Sequence, residues 1–490
     1  MTREMSTAGH KPKPTRRSRL GRGRVLNLSS LLVFSTFVGM ASAEPGPHLK
    51  ASWKEKGAGA VVFSPDGKSL VSSGSEGYQL RDAGTGKARA FLSTYRLEGT
   101  VFSPDGRFLF AKVGSDRHKP VSVCDLKVWV VATGEEYATF SHISESSNAS
   151  TNFFALSRDG KLLAFLDNSE RLPMEVKTSK MIVDGQIEFT VAFNQSKGLP
   201  RVKLWDVHGW KERATVDGGA PLVFSPDDTR LVTGARDWHD STAKVWDTAT
   251  GKPGVEFDTG APWVKPLSFS PDGKYLAIGT SRKQELYELA SGRRWPVPTA
   301  EHRDNAPVFS TDGRVLFPGG LPRIDSHLVD ARGYSCYDVT NLPPIRLELA
   351  AGELIVAPNG RRYAALLGKR FSDDSLTLSL CDLPAMREIG RVDALGLKSA
   401  WYSPDGSWLF LLIRRNDVFE IRVLDPTMTL VTATIPLRGH YSSGTCGWNF
   451  SPDGKSLALY YRTGSNISRP GEPEPSDRPL NVEIWELPTR

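Results

Sequence analysis

The 490-residue sequence predicts an all-β protein in which repeated four-stranded units close into a single ring. Three observations point there. A short turn sequence recurs nine times, an alternating strand follows each copy, and the two ends of the repeat array each hold part of one unit.

The turn is Phe-Ser-Pro-Asp-Gly at Phe63–Gly67, Phe102–Gly106, Phe269–Gly273 and Phe450–Gly454. Looser copies are Leu156–Gly160, Phe224–Asp228, Phe309–Gly313, Val356–Gly360 and Tyr402–Gly406. Successive copies start between 39 and 68 residues apart. A period near 40–50 residues suits one four-stranded propeller blade. Pro presets φ for a type I turn, Ser and Asp bond the local backbone, and Gly accepts the left-handed conformation. Such a turn with apolar runs on both sides is a hairpin. Each copy therefore joins the first two strands of a blade.

A third strand with apolar–polar alternation follows: Tyr78–Asp82, Leu126–Val130, Val202–Asp206, Ala243–Asp247, Gln284–Glu288, Tyr334–Asp338, Leu378–Asp382, Ile421–Asp425 and Val482–Glu486. Turns such as Gly84–Lys87 and Ala249–Lys252 lead into a fourth strand, for instance Glu136–Phe140. The segment His48–Trp53 precedes the first turn, and little sequence follows the last third strand. Pairing the two completes the last blade and removes the exposed edges. The count predicted is nine blades. Eight, with one degenerate unit displaced, is the alternative.

These units resemble WD-repeat (WD40) β-propeller blades over nearly all of residues 45–490, with Trp-Asp at Trp205-Asp206 and Trp246-Asp247. The Trp slot is also filled by Trp129 and Trp485, but by Arg81, Tyr287, Tyr337, Cys381 and Leu424 in the other blades. The Gly-His that opens such blades appears clearly once, at Gly439-His440, so the family's buried His-Asp-Ser-Trp network does not carry over to most of them. The resemblance implies a non-catalytic scaffold that binds protein or peptide partners.

Residues 1–43 have a different character. Eight of the chain's 62 basic residues and one of its 55 acidic ones lie in residues 1–24. The apolar stretch Val25–Met40 and Ala41-Ser42-Ala43 follow, as in a secretory signal peptide. The expectation is cleavage after Ala43 and an exported (periplasmic or secreted) propeller over residues 44–490, with no stable membrane insertion. An uncleaved N-terminal anchor is the alternative. Cleavage would leave 54 basic and 54 acidic residues, a balance that gives no support to nucleic-acid binding. Cys124, Cys336, Cys381 and Cys446 contain no C-x-x-C pair and read as buried thiols.

Loops alternate between two faces. One face carries the nine turns and the third-to-fourth-strand turns. The other carries Gly114–Asp125, Ser141–Asn152, the insertion Asp167–Arg201, Arg236–Thr242 and the Pro-rich Arg462–Leu480. Within the insertion, Asp184-Gly185 between apolar runs signals an extra hairpin. Long loops on a rigid scaffold concentrate binding residues, which makes Arg117, His118, Met181, Phe189, Trp238, His239 and Arg469 the candidate partner-binding set. Trp210, Trp238, Trp263, Trp295 and Trp401 are core packing or a carbohydrate or peptide surface.

No G-x-S-x-G, H-E-x-x-H or P-loop occurs, so no catalytic, metal or cofactor residue is assigned. The repeated turn carboxylates are read as turn formers standing far apart around the ring. The runner-up function is a propeller enzyme, or a small-ligand or carbohydrate-binding protein, with its site at the central channel mouth. A monomer is expected.

Overall fold

A computed structural model describes residues 47–487, apart from 56–60, 75, 96, 115–123, 145–152, 169–174, 184–186, 196–198, 237–239, 261–263, 281–282, 298–306, 318–334, 341, 349–353, 368–375, 384, 416–417, 426–429, 438–440 and 464–479. Residues 1–43, where the sequence leads one to expect a signal peptide, lie outside the described residues.

Among the described residues the strands form nine antiparallel four-stranded sheets and one two-stranded hairpin. Eight sheets are consecutive meanders. Blade 1 runs Val61–Ser93, blade 2 Leu97–Ser144, blade 3 Phe154–Asp217, blade 4 Gly219–Asp258 and blade 5 Lys265–Val297. Blade 6 runs Val308–Glu348, blade 7 Leu354–Asp393 and blade 8 Leu397–Leu437. Blade 9 takes three strands from Tyr441–Phe450, Ser456–Thr463 and Leu480–Glu486 and its outer strand from His48–Glu55. The register there sets His48 opposite Glu486 and Glu55 opposite Leu480. Closure by the N-terminal strand and the count of nine follow the sequence; the alternative of eight is set aside.

The core explains why the middle strands are apolar along their whole length. Phe108–Gly114 in blade 2 is buried at all but its last residue because a neighbouring blade covers each of its faces. Nine core clusters lie between consecutive blades. One joins Leu80 of blade 1 to Leu109 and Trp129 of blade 2, and another joins Ile484 of blade 9 to Phe63 and Leu70 of blade 1. That second cluster closes the ring.

Eight of the nine turns repeat one hydrogen-bond pattern; blade 7, with Ala357 in the serine's place, keeps only the bond from Arg361 N to Asn359 Oδ1. In blade 1, Ser64 Oγ donates to Asp66 Oδ1 at 2.6 Å and accepts from Ser69 N at 2.9 Å, while Asp66 Oδ1 accepts from Lys68 N at 3.0 Å. The serine is buried, so its hydroxyl gives the strand's first N–H an acceptor that water cannot supply. Burial pushes the carboxyls of Asp66, Asp105, Asp272, Asp405 and Asp453 upward. The serine hydroxyl and the following N–H outweigh it, and each ends below the usual carboxylate range.

Neighbouring turns are not far apart, as the sequence reading has them. Arg158 N and Asp159 N of blade 3 both donate to the Asp228 carboxylate of blade 4, at 2.6 and 2.8 Å. Thr311 N of blade 6 reaches Pro358 O of blade 7 at 3.1 Å, and Asn359 Nδ2 reaches Asp405 O of blade 8 at 2.8 Å. The first strands are innermost in the ring, so their turns crowd together. This explains two departures from the repeat. Asp228 holds the left-handed conformation of the usual Gly (φ 58°) and bonds the preceding blade, and Asn359 replaces the usual Asp and bonds the next.

Candidate binding surfaces

Strand order puts the repeated turns on one face and the second-to-third-strand and interblade loops on the other. Along the turn face, third-strand acids cap the turns. Asp206 Oδ1 accepts from His208 N and Gly209 N, and Asp247 Oδ1 accepts from Thr250 N and Oγ1. Threonine or backbone hydrogen bonds hold the carboxyls of Asp247 and Asp206 below their usual range. These carboxylates serve the turns.

The four Trp-slot residues are structural too. Trp129 is 2% exposed between blades 1 and 2. Trp246 Nε1 donates to Thr233 Oγ1 at 3.1 Å, and Trp485 Nε1 to Glu483 Oε2 at 2.9 Å. Trp205 packs against Phe140 of the preceding blade, with ring centroids 5.0 Å apart.

Where Arg81 replaces Trp, the sequence gives no partner, and the structure supplies one. Arg81 donates to Glu55 Oε1 at 2.6 Å, to Ser72 Oγ and Gly86 O at 2.9 Å, and to Gln79 Oε1 at 2.7 Å. Its guanidinium lies 5.0 Å over the Trp53 ring. Trp53 and Glu55 belong to the closing strand, so this substitution ties blade 1 to the ring's seam.

On the long-loop face, the insertion in blade 3 forms a hairpin of its own. Glu175–Val183 pairs with Ile187–Gln195, and the hairpin joins no blade sheet among the described residues. Candidate residues Met181 and Phe189 stand directly opposite each other in its register. In the same register Val183 pairs with Ile187, Ser179 with Val191 and Lys177 with Phe193. The insertion is shorter than its sequence bounds, because Asp167 and Arg201 are paired blade residues. Arg117, His118, Trp238, His239 and Arg469 lie outside the described residues. Of the other aromatic candidates, Trp401 is 5% exposed in the core and Trp263 is outside the described residues.

Three cysteines, Cys124, Cys336 and Cys381, are buried free thiols, and burial pushes Cys336 up to about 12. Among the described residues no three His, Cys, Asp or Glu side chains gather into a metal-holding group.

The innermost strands of blades 2–5 line a cavity of about 690 Å³. Val101, Leu222, Phe224, Leu267 and Phe269 make most of it apolar. Two of its four charged residues pair, with Lys112 Nζ 3.1 Å from Glu98 Oε2 and 4.5 Å over the Phe153 ring; Arg158 and Asp228 also line it. No histidine or tyrosine lines it.

Comparison with known proteins agrees with this geometry. Residues 220–247, which are blade 4 through its Trp-Asp, match the family model for the WD domain, G-beta repeat (WD40). A 62-residue stretch is 44% identical to Ribosome assembly protein 4 of Chaetomium thermophilum, covering 12% of this chain and 11% of that protein. The chain thus spans a small part of this relative's length. Among solved structures, one described as a eukaryotic initiation factor superposes with a TM-score of 0.50 at 15% identity. It covers 78% of this chain and 88% of that one, and shares the fold.

Proposed function

We propose that this chain, a WD40-repeat-like β-propeller, is a non-catalytic scaffold binding protein or peptide partners through its long-loop face. One observation carries this. The turn face is stereotyped, whereas the opposite face carries a two-stranded hairpin that joins no blade sheet among the described residues. A two-stranded hairpin is marginal by itself in water. Docked against a partner, its Met181–Phe189 face would gain apolar cover, and its free edges could pair with an extended segment. The relative's name speaks of assembly, which fits protein partners; the short overlap carries nothing about which.

The test is affinity capture with the full chain as bait, intact or with residues 169–198 replaced by a short Gly-Ser link. A partner held by the intact bait and lost from the linked one supports the proposal. Equal retention by both counts against it. Export is part of the same reading, and N-terminal sequencing of the mature protein tests it: a first residue of Glu44 is expected, and Met1 would contradict cleavage. A second reading is supported by the cavity of about 690 Å³, within the size range of small-ligand sites. Its mostly apolar lining and lack of histidine or tyrosine among the described residues suit binding of an apolar molecule better than acid–base chemistry.

A further inference from the structure

The residue that opens the repeated turn is Phe in six blades, Leu156 in blade 3 and Val356 in blade 7. In blade 8 it is Tyr402, which packs back onto blade 7. The hydroxyl is thus an addition found at one interface of the nine. Tyr402 is 8% exposed, and its Oη is buried with no hydrogen-bond partner in the protein.

Arg362 faces it from blade 7. This residue starts the strand Arg362–Leu367, and by alternation it shares a face with Ala364 and Leu366, which lie in one core cluster with Tyr402. Arg362 Nη1 is likewise buried without a hydrogen-bond partner. Asp382 stands opposite Arg362 in the register of blade 7, yet the two form no ion pair among the described residues. Arg230 holds the equivalent place in blade 4, but it is exposed and the next blade presents Phe269. Only blades 7 and 8 set an arginine against a tyrosine at this position.

The two groups act on each other. Burial pushes the Tyr402 hydroxyl up, and the Arg362 charge opposes that shift. The phenol therefore stays protonated at neutral pH and has an O–H to donate. Two buried donors converge here without a protein acceptor, and one of them carries a full positive charge. A buried donor left unpaired is costly, and a cation more so unless an opposite charge meets it. A water molecule would accept from both donors but leave the charge unmatched. A small anion accepts from both, in the stronger charge-assisted form, and supplies the missing charge. Arg362 is partly exposed, which leaves a way in from the turn face. We propose that the turn-face end of the interface between blades 7 and 8 is a binding site for a small monovalent anion of the chloride type, held by Arg362 Nη1 and Tyr402 Oη.

Crystals of the full chain soaked in sodium bromide test this, because bromide replaces chloride and scatters anomalously. A bromide peak within hydrogen-bond reach of both atoms is expected. Its occupancy should fall in Tyr402→Phe, which installs the residue of six other blades, and vanish in Arg362→Gln. In solution, the thermal midpoint is compared in sodium chloride and in sodium gluconate of equal ionic strength, gluconate being too large to enter. The chloride-minus-gluconate difference should shift upward in the wild type relative to Arg362→Gln, a comparison that cancels general salt effects. Bromide on the exposed surface alone, a water without anomalous signal beside Arg362, a peak that persists in Arg362→Gln, or equal salt differences in the two proteins would overturn the proposal. None of these readouts involves residues 169–198, so failure here is distinguishable from failure of the long-loop reading.

Discussion

Arg81→Ala tests the ring's seam. The wild-type guanidinium and the Glu55 carboxylate are 11% and 10% exposed, so the pair is largely out of water. Arg81 makes four hydrogen bonds, and Glu55 Oε1 keeps only Ser72 Oγ at 2.8 Å and Trp53 Nε1 at 3.1 Å once it is gone. Two neutral donors do not compensate a buried carboxylate. Removing one member of a buried pair costs about 3–5 kcal/mol, against about 1 kcal/mol or less for an exposed pair. The loss should be local to the seam. Hydrogen exchange in His48–Glu55 and Leu480–Glu486 should speed up by roughly a hundredfold or more, at about 1.4 kcal/mol per factor of ten. Exchange in blade 5 should change little. The double variant Arg81→Ala with Glu55→Ala should recover part of the loss, because it removes the stranded carboxylate. Unchanged exchange at the seam in Arg81→Ala, or a double variant that loses the sum of the two singles, would refute the reasoning.

Three further outcomes follow from the turns. Ser403→Ala removes the acceptor for Trp408 N at 2.9 Å, where the serine is fully buried, and should cost about 1–3 kcal/mol, read as a lower urea midpoint. Asp228→Gly relieves the left-handed strain yet leaves Arg158 N and Asp159 N without their acceptor, so thermal melting should show a net loss; a gain would show that the bond between blades contributes nothing. For Asp159, burial pushes the carboxyl up, but the Lys161 N–H, the Lys161 ammonium and the Ser157 hydroxyl bring it down to about 2 from 3.8. A folded pKa below the unfolded one gives stability that is present above about 3.8 and lost as pH falls toward 2. The carboxylate is well exposed, so the effect is small. Asp159→Asn should flatten the melting-temperature slope in that window, and an unchanged slope would contradict the assignment.

How much was legible in the sequence depended on locality. The turn Phe63–Gly67 and the strand Tyr78–Asp82 carry their own signals in proline, glycine and period-two alternation, and repetition made nine copies readable. His48–Trp53 was readable as the closing strand because an unpaired strand at each end of the array needs a partner. Arg81 was visible only as a missing Trp, since its partner Glu55 lies in a different blade and no local pattern links them. Asp228 read as a degraded glycine, although its carboxylate bonds the preceding blade. Trp210 read only as packing or as one of several possible surface aromatics, because a left-handed φ at a bulky residue leaves no local sequence signal. The turn carboxylates seemed far apart because the repeat length says nothing of how closely innermost turns crowd.

The most direct measurement is a hydrogen-exchange footprint of the full chain, free and bound to a partner recovered by the intact bait. The scaffold account predicts protection concentrated on Glu175–Val183 and Ile187–Gln195 and on the loops of the same face, with the Ser-Pro-Asp-Gly turns unchanged. Protection confined to the turn face or to the innermost strands of blades 2–5, with the hairpin unaffected, would contradict it.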